Sequence, residues 1–108
     1  MAGYGVNPIE TWFHERRQKN IHMSYNEILE AVRLAVIAEL DTINYYEQVA
    51  NATRDEQVKR VFMDVIKEKT KLIGVFLALL SRLDPQFSRL YREGIKTVEE
   101  RLAIKVEL

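Results

Sequence analysis

The chain has 108 residues, 47% of them hydrophobic, which fits one small domain with a modest core. Its 16 basic side chains balance 16 acidic ones, and this balance argues against a protein that binds nucleic acid or a membrane surface. The absence of cysteine from the sequence excludes disulfides, thiolate catalysis and zinc-thiolate sites. No apolar run approaches the roughly 20 residues of a membrane span, and the N-terminus lacks the basic-then-apolar order of a signal peptide, so we expect a cytoplasmic protein.

A short amphipathic helix is predicted near the N-terminus, with Ile9, Trp12 and Phe13 on one side. An adjacent tryptophan and phenylalanine outside the main helices form an apolar patch that favours a partner surface over water. We therefore expect Trp12 and Phe13 to dock on the helical bundle or on a neighbouring subunit.

The first long helix is predicted at about residues 25–51. It begins at a capping box, Ser24-Tyr-Asn-Glu27, in which each outer side chain can satisfy an amide at the helix N-terminus. No proline or glycine interrupts it. Its apolar residues recur at spacings of three and four, as in an amphipathic helix: Ile28, Val32, Ala35, Val36, Ile43, Tyr46 and Ala50.

The second long helix is predicted at about residues 54–83, after a second capping box, Thr53-Arg-Asp-Glu56. The connection between the two long helices is so short that they must run antiparallel. The second helix has its own apolar stripe, formed by Val58, Val61, Phe62, Val65, Leu72, Ile73, Phe76, Leu79, Leu80 and Leu83.

A third, shorter helix is predicted at about residues 85–93. Asp84 is a favourable N-cap residue, and Pro85 suits the first helical position. Gly94 is expected to end this helix, because glycine is common directly after a helix C-terminus.

The chain therefore divides into three parts. Residues 1–23 are an N-terminal segment with a short amphipathic helix, and residues 24–94 are the helical hairpin with its third helix. Residues 95–108 are a C-terminal tail, for which the sequence leaves a helix open, and this tail ends in an apolar segment. This tail is either a docking segment for a partner or a tail packed on the edge of the helices.

The apolar stripes of the two long helices are too wide for one helix pair to bury. The simplest way to bury these stripes is a two-fold dimer, in which two helix pairs enclose one core. We therefore predict an all-α fold: an antiparallel two-helix hairpin plus a short C-terminal helix, dimerising into a four-helix bundle.

Two charged residues, Glu39 and Lys69, interrupt the apolar stripes near their centres. Each lies about 15 residues from the turn, hence about 22 Å from it, so they share one level of the antiparallel pair. A buried charge without a partner is very costly, so we predict that Glu39 and Lys69 face each other in the core. Alternatively, either residue lies at the edge of its stripe and extends its charged group to water.

The stretch from about Tyr25 to Pro85 contains a distinctive pattern, A-E-L-x-x-I-x-x-Y-E. The residues of this pattern and of further characteristic positions are Ala38-Glu39-Leu40-Asp41-Thr42-Ile43-Asn44-Tyr45-Tyr46-Glu47, Gly74, Phe76, Leu79-Leu80 and Leu83-Asp84-Pro85. Through these residues the stretch resembles the ferritin-like domain of encapsulated ferritins and, more distantly, rubrerythrin-type proteins.

The resemblance implies that two-helix protomers dimerise around a di-iron ferroxidase centre. In that family each protomer provides a glutamate from its first helix and a Glu-x-x-His from its second, a ligand set that suits iron. The dimers then form a ring inside a protein shell called an encapsulin.

Residue by residue, the family's first-helix glutamate corresponds to Glu39, and a tyrosine near the metals corresponds to Tyr46. The Glu-x-x-His, however, corresponds to Lys69-Thr-Lys-Leu72. Two of three ligands per protomer are therefore replaced, one by an ammonium group that repels metal cations. We predict no catalytic residues and no cofactor, only a vestigial metal site comprising Glu39, Lys69, Leu72 and Tyr46.

The sequence thus favours a non-catalytic ferritin-like protein, a structural or cargo subunit related to iron metabolism. Two alternatives remain: a ferroxidase or iron-storage protein with a non-standard ligand set, or a heteromeric partner of an active paralogue. The expected partners are a second copy, a larger ring of copies and an encapsulin shell. The protein would then lie in the cytoplasm, inside such a compartment.

Overall fold

The fold is all-helical. The computed structural model describes positions 8, 10, 11, 14 and 15 and residues 22–107, among which no strand occurs. Three helices follow one another: α1 (Tyr25–Ala52), α2 (Glu56–Leu83) and α3 (Pro85–Leu102). The five described N-terminal positions are helical, whereas Ile9, Trp12 and Phe13 lie outside the described residues.

The predicted start of α1 is confirmed. The amide of Glu27 donates to Ser24 Oγ over 3.2 Å, and the amide of Ser24 donates to Glu27 Oε1 over 3.1 Å. Both bonds of the capping box are therefore present, and two of the amides that a helix N-terminus leaves without partners are satisfied.

The predicted capping box at the start of α2 is wrong. Thr53 instead ends α1, where its amide donates to the carbonyl of Val49. Asp55 is the N-cap of α2, and its Oδ1 accepts from the amides of Gln57 and Val58 at 2.9 and 3.1 Å. Because the carboxylate of Asp55 satisfies two backbone amides, Asp55 rather than Thr53 caps the start of α2.

The core lies where α1, α2 and the start of α3 meet. Leu29 and Val32 of α1 pack with Leu80 of α2, which is 2% exposed. Phe76 and Leu83 of α2 and Phe87 of α3 pack against this cluster. The N-cap of α3 forms as predicted, since Asp84 Oδ1 accepts from the Phe87 amide at 3.1 Å and Pro85 occupies the first turn. The cap therefore anchors α3 on the end of the hairpin.

The prediction that Gly94 ends the third helix is wrong, because α3 continues to Leu102. A glycine weakens a helix interior by only about 1 kcal/mol relative to alanine. Apolar residues continue at helical spacing beyond it, at Val98 and Leu102. Residues 95–102 of the predicted tail are therefore helical, an outcome that the sequence had left open.

The chain reverses direction at Ala103, which has a left-handed backbone with φ of 52°. The reversal lets the amide of Ile104 donate to the carbonyl of Glu99 at 3.1 Å. The amide of Val106 donates to the side-chain Oε2 of the same glutamate at 2.8 Å. Glu99 therefore holds the tail against the last turns of α3.

Replacing Ala103 with glycine should stabilise this end of α3 by about 1 kcal/mol, since a side chain is unfavourable in a left-handed conformation. The expected result is about fivefold slower hydrogen exchange at the Ile104 amide. Ala78→Gly, in the exposed interior of α2, should instead weaken its own helix. Faster exchange at the Ile104 amide in Ala103→Gly would contradict the expectation that the left-handed conformation is unfavourable for the alanine side chain.

A single chain does not enclose its apolar surface. It exposes 8580 Å², whereas a compact 12.7 kDa monomer exposes about 6,200 Å². Its radius of gyration is 17.3 Å, against about 13 Å for a compact domain of this length. The excess surface supports the need for a partner, and the two-fold dimer stays a prediction. None of the three helices is both long and apolar enough to cross a membrane.

Candidate functional site

Glu39 of α1 and Lys69 of α2 form an ion pair across the hairpin. Lys69 Nζ lies 3.2 Å from Glu39 Oε2, which confirms that the two residues face each other. The position follows from the fold, because both helices are regular from the turn to this level. Counting equal numbers of residues from the turn therefore brings the two side chains together.

The pair is half-buried rather than fully enclosed. The side chain of Glu39 is 16% exposed and that of Lys69 is 30% exposed. Glu39 Oε2 itself is buried and, despite the short distance to Lys69, accepts no aligned hydrogen bond from the described residues. The contact is therefore mainly electrostatic, and one carboxylate oxygen keeps unused capacity to accept a hydrogen bond.

Tyr46 lies two turns beyond Glu39 on α1 and packs between aromatic rings. Its ring meets Phe62 of α2 edge-on at 5.4 Å, with an angle of 83° between the planes. It is also tilted against Tyr45 at 5.8 Å. Through these contacts Tyr46 packs the two long helices together at a level between the ion pair and the turn.

Leu72 belongs to an exposed apolar stripe on α2. The α2 stripe comprises Val61, Val65, Leu72 and Leu79, all exposed in the single chain. Lys69 lies three to four residues from Val65 and Leu72, so its ammonium group adjoins this stripe. A partner that covered the α2 stripe would also reduce the solvent exposure of the ion pair.

Neither the Lys69 ammonium group nor the Leu72 side chain offers a ligand atom to a metal ion. An ammonium group has no lone pair and repels a cation, and a leucine side chain has no ligand atom. Among the described residues of one chain, no three acidic or histidine side chains gather into a group that could hold a metal ion. Neighbouring Glu68 is exposed and pairs with Lys71 rather than with Lys69, at 3.2 Å.

The apolar surface of α3 was not predicted from the sequence, because Gly94 was expected to end this helix. Leu90, Tyr91, Val98 and Leu102 are exposed on the extended helix. The signal was present in the sequence, since the helical spacing of these residues continues across Gly94.

An antiparallel pair of 28-residue helices, with a carboxylate at mid-height and a third helix at its end, defines a ferritin-like all-α protein. The structure resembles the crystal structure of the encapsulated ferritin domain from Pyrococcus furiosus, with a TM-score of 0.77. The two are 40% identical, and the match covers 80% of this chain and 88% of that chain. The chain therefore belongs to the encapsulated ferritin family, and the predicted ferritin-like all-α fold of the single chain is confirmed.

Two curated relatives agree with this assignment. The chain is 42% identical over 82 residues to the ferritin-like–encapsulin shell fusion protein of Pyrococcus furiosus, a match covering 76% of this chain and 24% of that protein. It is 32% identical over 74 residues to the encapsulin nanocompartment cargo protein EncC of Myxococcus xanthus, covering 68% of this chain and 57% of EncC. The chain thus matches only about a quarter of the first relative and just over half of the second. No family model matches the chain.

Proposed function

We propose that this chain is an encapsulated-ferritin subunit without a di-iron centre, which acts as a structural or cargo subunit inside an encapsulin shell. The single observation that carries the proposal is the 3.2 Å contact between Lys69 Nζ and Glu39 Oε2. It puts a cationic group beside the one family carboxylate that this chain retains.

Charge balance supports this proposal. Two copies paired through their α2 stripes would bring together two Glu39 carboxylates and two Lys69 ammonium groups, with no net charge. A di-iron centre needs several carboxylates, because each carboxylate offsets part of the charge of the metal ions. Lys69 supplies that positive charge from the protein itself, so the residues present do not fit an iron centre.

The names of the relatives support the location. One relative is a ferritin-like domain fused to an encapsulin shell, and the other is an encapsulin cargo protein. We therefore place this chain inside an encapsulin compartment. The apolar tail, with Ile104 exposed and Val106 half-buried, is the segment that we assign to contact with the shell.

Metal analysis of the full chain purified with Fe(II), together with an Fe(II) oxidation assay, tests the proposal. We expect substoichiometric iron and no oxidation above that of the buffer. Stoichiometric iron with turnover would instead establish the ferroxidase with non-standard ligands. Co-purification with an iron-binding homologue would indicate the heteromeric partner.

A further inference from the structure

A groove at the junction of α2 and α3 gathers side chains that donate hydrogen bonds. It has a volume of about 440 Å³ and runs along α3 from Pro85 to Lys96. Its polar lining residues are Ser81 of α2 and Ser88, Arg89, Arg92, Glu93 and Lys96 of α3. Three cationic groups against one carboxylate give this groove an excess of positive charge, whereas the whole chain is neutral.

The cationic side chains of the groove form a row on one face of α3. Arg89, Arg92 and Lys96 follow one another at spacings of three and four residues, so they are neighbours on the helix surface and repel one another. All three are exposed, and none forms an ion pair with a described residue. Glu93 lies one turn from Arg89 and from Lys96 but pairs with neither. A bound anion would offset the repulsion within the row.

The two serines of the groove have unused hydroxyl groups. A serine or threonine inside a helix often donates to the carbonyl four residues earlier. Thr42, Thr70 and Thr97 do so, over distances of 2.9, 2.8 and 3.1 Å. The half-buried Ser81 and Ser88 form no such bond, nor any other side-chain hydrogen bond to the described residues. Their hydroxyls are therefore free to donate to a ligand in the groove.

The groove lies on the side of α3 opposite its exposed apolar residues. Arg92 is about 200° around the helix from Leu90, and Lys96 is about 200° from Val98. A partner on the apolar side of α3 would therefore leave the groove open. Ser81 lies about 18 Å along α2 from Lys69, so the groove is also separate from the ion pair at the centre of the hairpin.

We propose that this groove binds a small anion with several phosphate groups in line, of the inorganic oligophosphate class. Arginine and lysine side chains recognise phosphate oxygens, arginine often through two parallel hydrogen bonds. The row from Arg89 to Lys96 extends about 10 Å along the helix, which is longer than one phosphate group, so successive phosphates meet successive cations. The hydroxyls of Ser81 and Ser88 donate to phosphate oxygens at the α2 side. No lining residue is aromatic, so the groove offers no ring on which a nucleotide base could stack.

Calorimetric titration of the full chain at low ionic strength tests the inference, with sodium tripolyphosphate as the probe. We expect stoichiometric binding that weakens as salt is added. Inorganic phosphate should bind about tenfold more weakly, because it contacts fewer cations. ATP carries the same phosphate chain and should bind no more tightly than tripolyphosphate. The inference fails if tripolyphosphate does not bind, if inorganic phosphate binds equally well, or if ATP binds more tightly.

Substitutions of charged residues locate the binding site. Arg92→Gln should weaken tripolyphosphate binding about fivefold, because it removes the central cation of the row. The matched control Arg101→Gln makes the same change in net charge on the opposite side of α3 and should leave the affinity unchanged. Glu93→Gln should strengthen binding about threefold, since it removes the carboxylate of the groove. Equal losses in Arg92→Gln and Arg101→Gln would mean that the overall charge of the chain attracts the anion, and would overturn the site.

Substitutions of the serines test the groove without changing its charge. Ser81→Ala combined with Ser88→Ala should weaken tripolyphosphate binding about fivefold, because two donors to phosphate are lost. Alanine favours a helix more than serine does, so loss of helix would not explain weaker binding. The control is Thr97→Ala, since the Thr97 hydroxyl already donates to the carbonyl of Glu93, and it should not change the affinity. Unchanged affinity in the double serine variant would show that the proposed site is wrong.

Discussion

The double substitution Lys69→Glu and Leu72→His should convert this protein into one that binds Fe(II). The side chain at position 69 already reaches within 3.2 Å of the Glu39 carboxylate. Position 72 follows one turn later on the same side of α2. The two substitutions therefore place the Glu-x-x-His that the resemblance implies beside Glu39, and two copies in the proposed dimer would supply six ligands.

Iron should also determine the stability of this variant. Without metal, two carboxylates would adjoin in a half-buried position and repel each other, so the melting temperature should fall below that of the unchanged chain. Fe(II) at about 100 times its dissociation constant would raise the free energy of unfolding of this variant by about 2.7 kcal/mol. The measurements are the iron content per chain and the melting temperature with and without Fe(II).

The matched control is Lys67→Glu with Thr70→His. It makes the same change in net charge and creates the same motif, but at positions exposed on α2. It should bind no stoichiometric iron, since it does not adjoin Glu39. If the unchanged chain binds as much iron as the Lys69→Glu/Leu72→His variant, Lys69 does not take the place of a metal.

Lys69→Met should lower the free energy of unfolding by about 2 kcal/mol. The methionine keeps most of the side-chain volume, so the main loss is the cation that faces Glu39. Breaking a fully buried pair costs about 3–5 kcal/mol. We expect a smaller loss of stability here, because the Lys69 side chain is still 30% exposed to solvent. Urea unfolding at neutral pH measures the change, and dimer dissociation at low concentration should increase in parallel.

Two further variants separate the ion pair from general effects. Lys69→Met combined with Glu39→Gln removes both charges and should recover much of the lost stability. Lys71→Met breaks the exposed pair with Glu68, in which the side chains are 72% and 70% exposed, and should change stability much less. Equal losses in Lys69→Met and Lys71→Met would mean that the pair at the hairpin centre has no special role.

Much of the fold could be predicted because its signals are local. The capping box at Ser24 and the Asp84-Pro85 start each depend on residues within one turn, and both occur as predicted. The ion pair was predictable for a different reason. Two uninterrupted helices joined by a short turn have a fixed register, so counting residues from the turn placed Lys69 opposite Glu39.

The errors arose where two local signals compete. Thr53 and Asp55 are both favourable caps, and the choice depends on where α1 ends. Gly94 resembles a helix stop, yet the apolar residues after it keep α3 continuous. Signals of this kind are typically worth about 1 kcal/mol each, and short sequence patterns do not resolve differences of that size.

Helical periodicity and the short turn are enough to predict that the protein is helical, where its long helices lie and that Glu39 and Lys69 share one level. The exposure of this ion pair, the packing of Tyr46 against Phe62 and the extension of α3 past Gly94 with an exposed apolar face became clear from the three-dimensional structure. Burial depends on which surfaces meet in space, and the spacing of residues along one helix does not specify what lies opposite them.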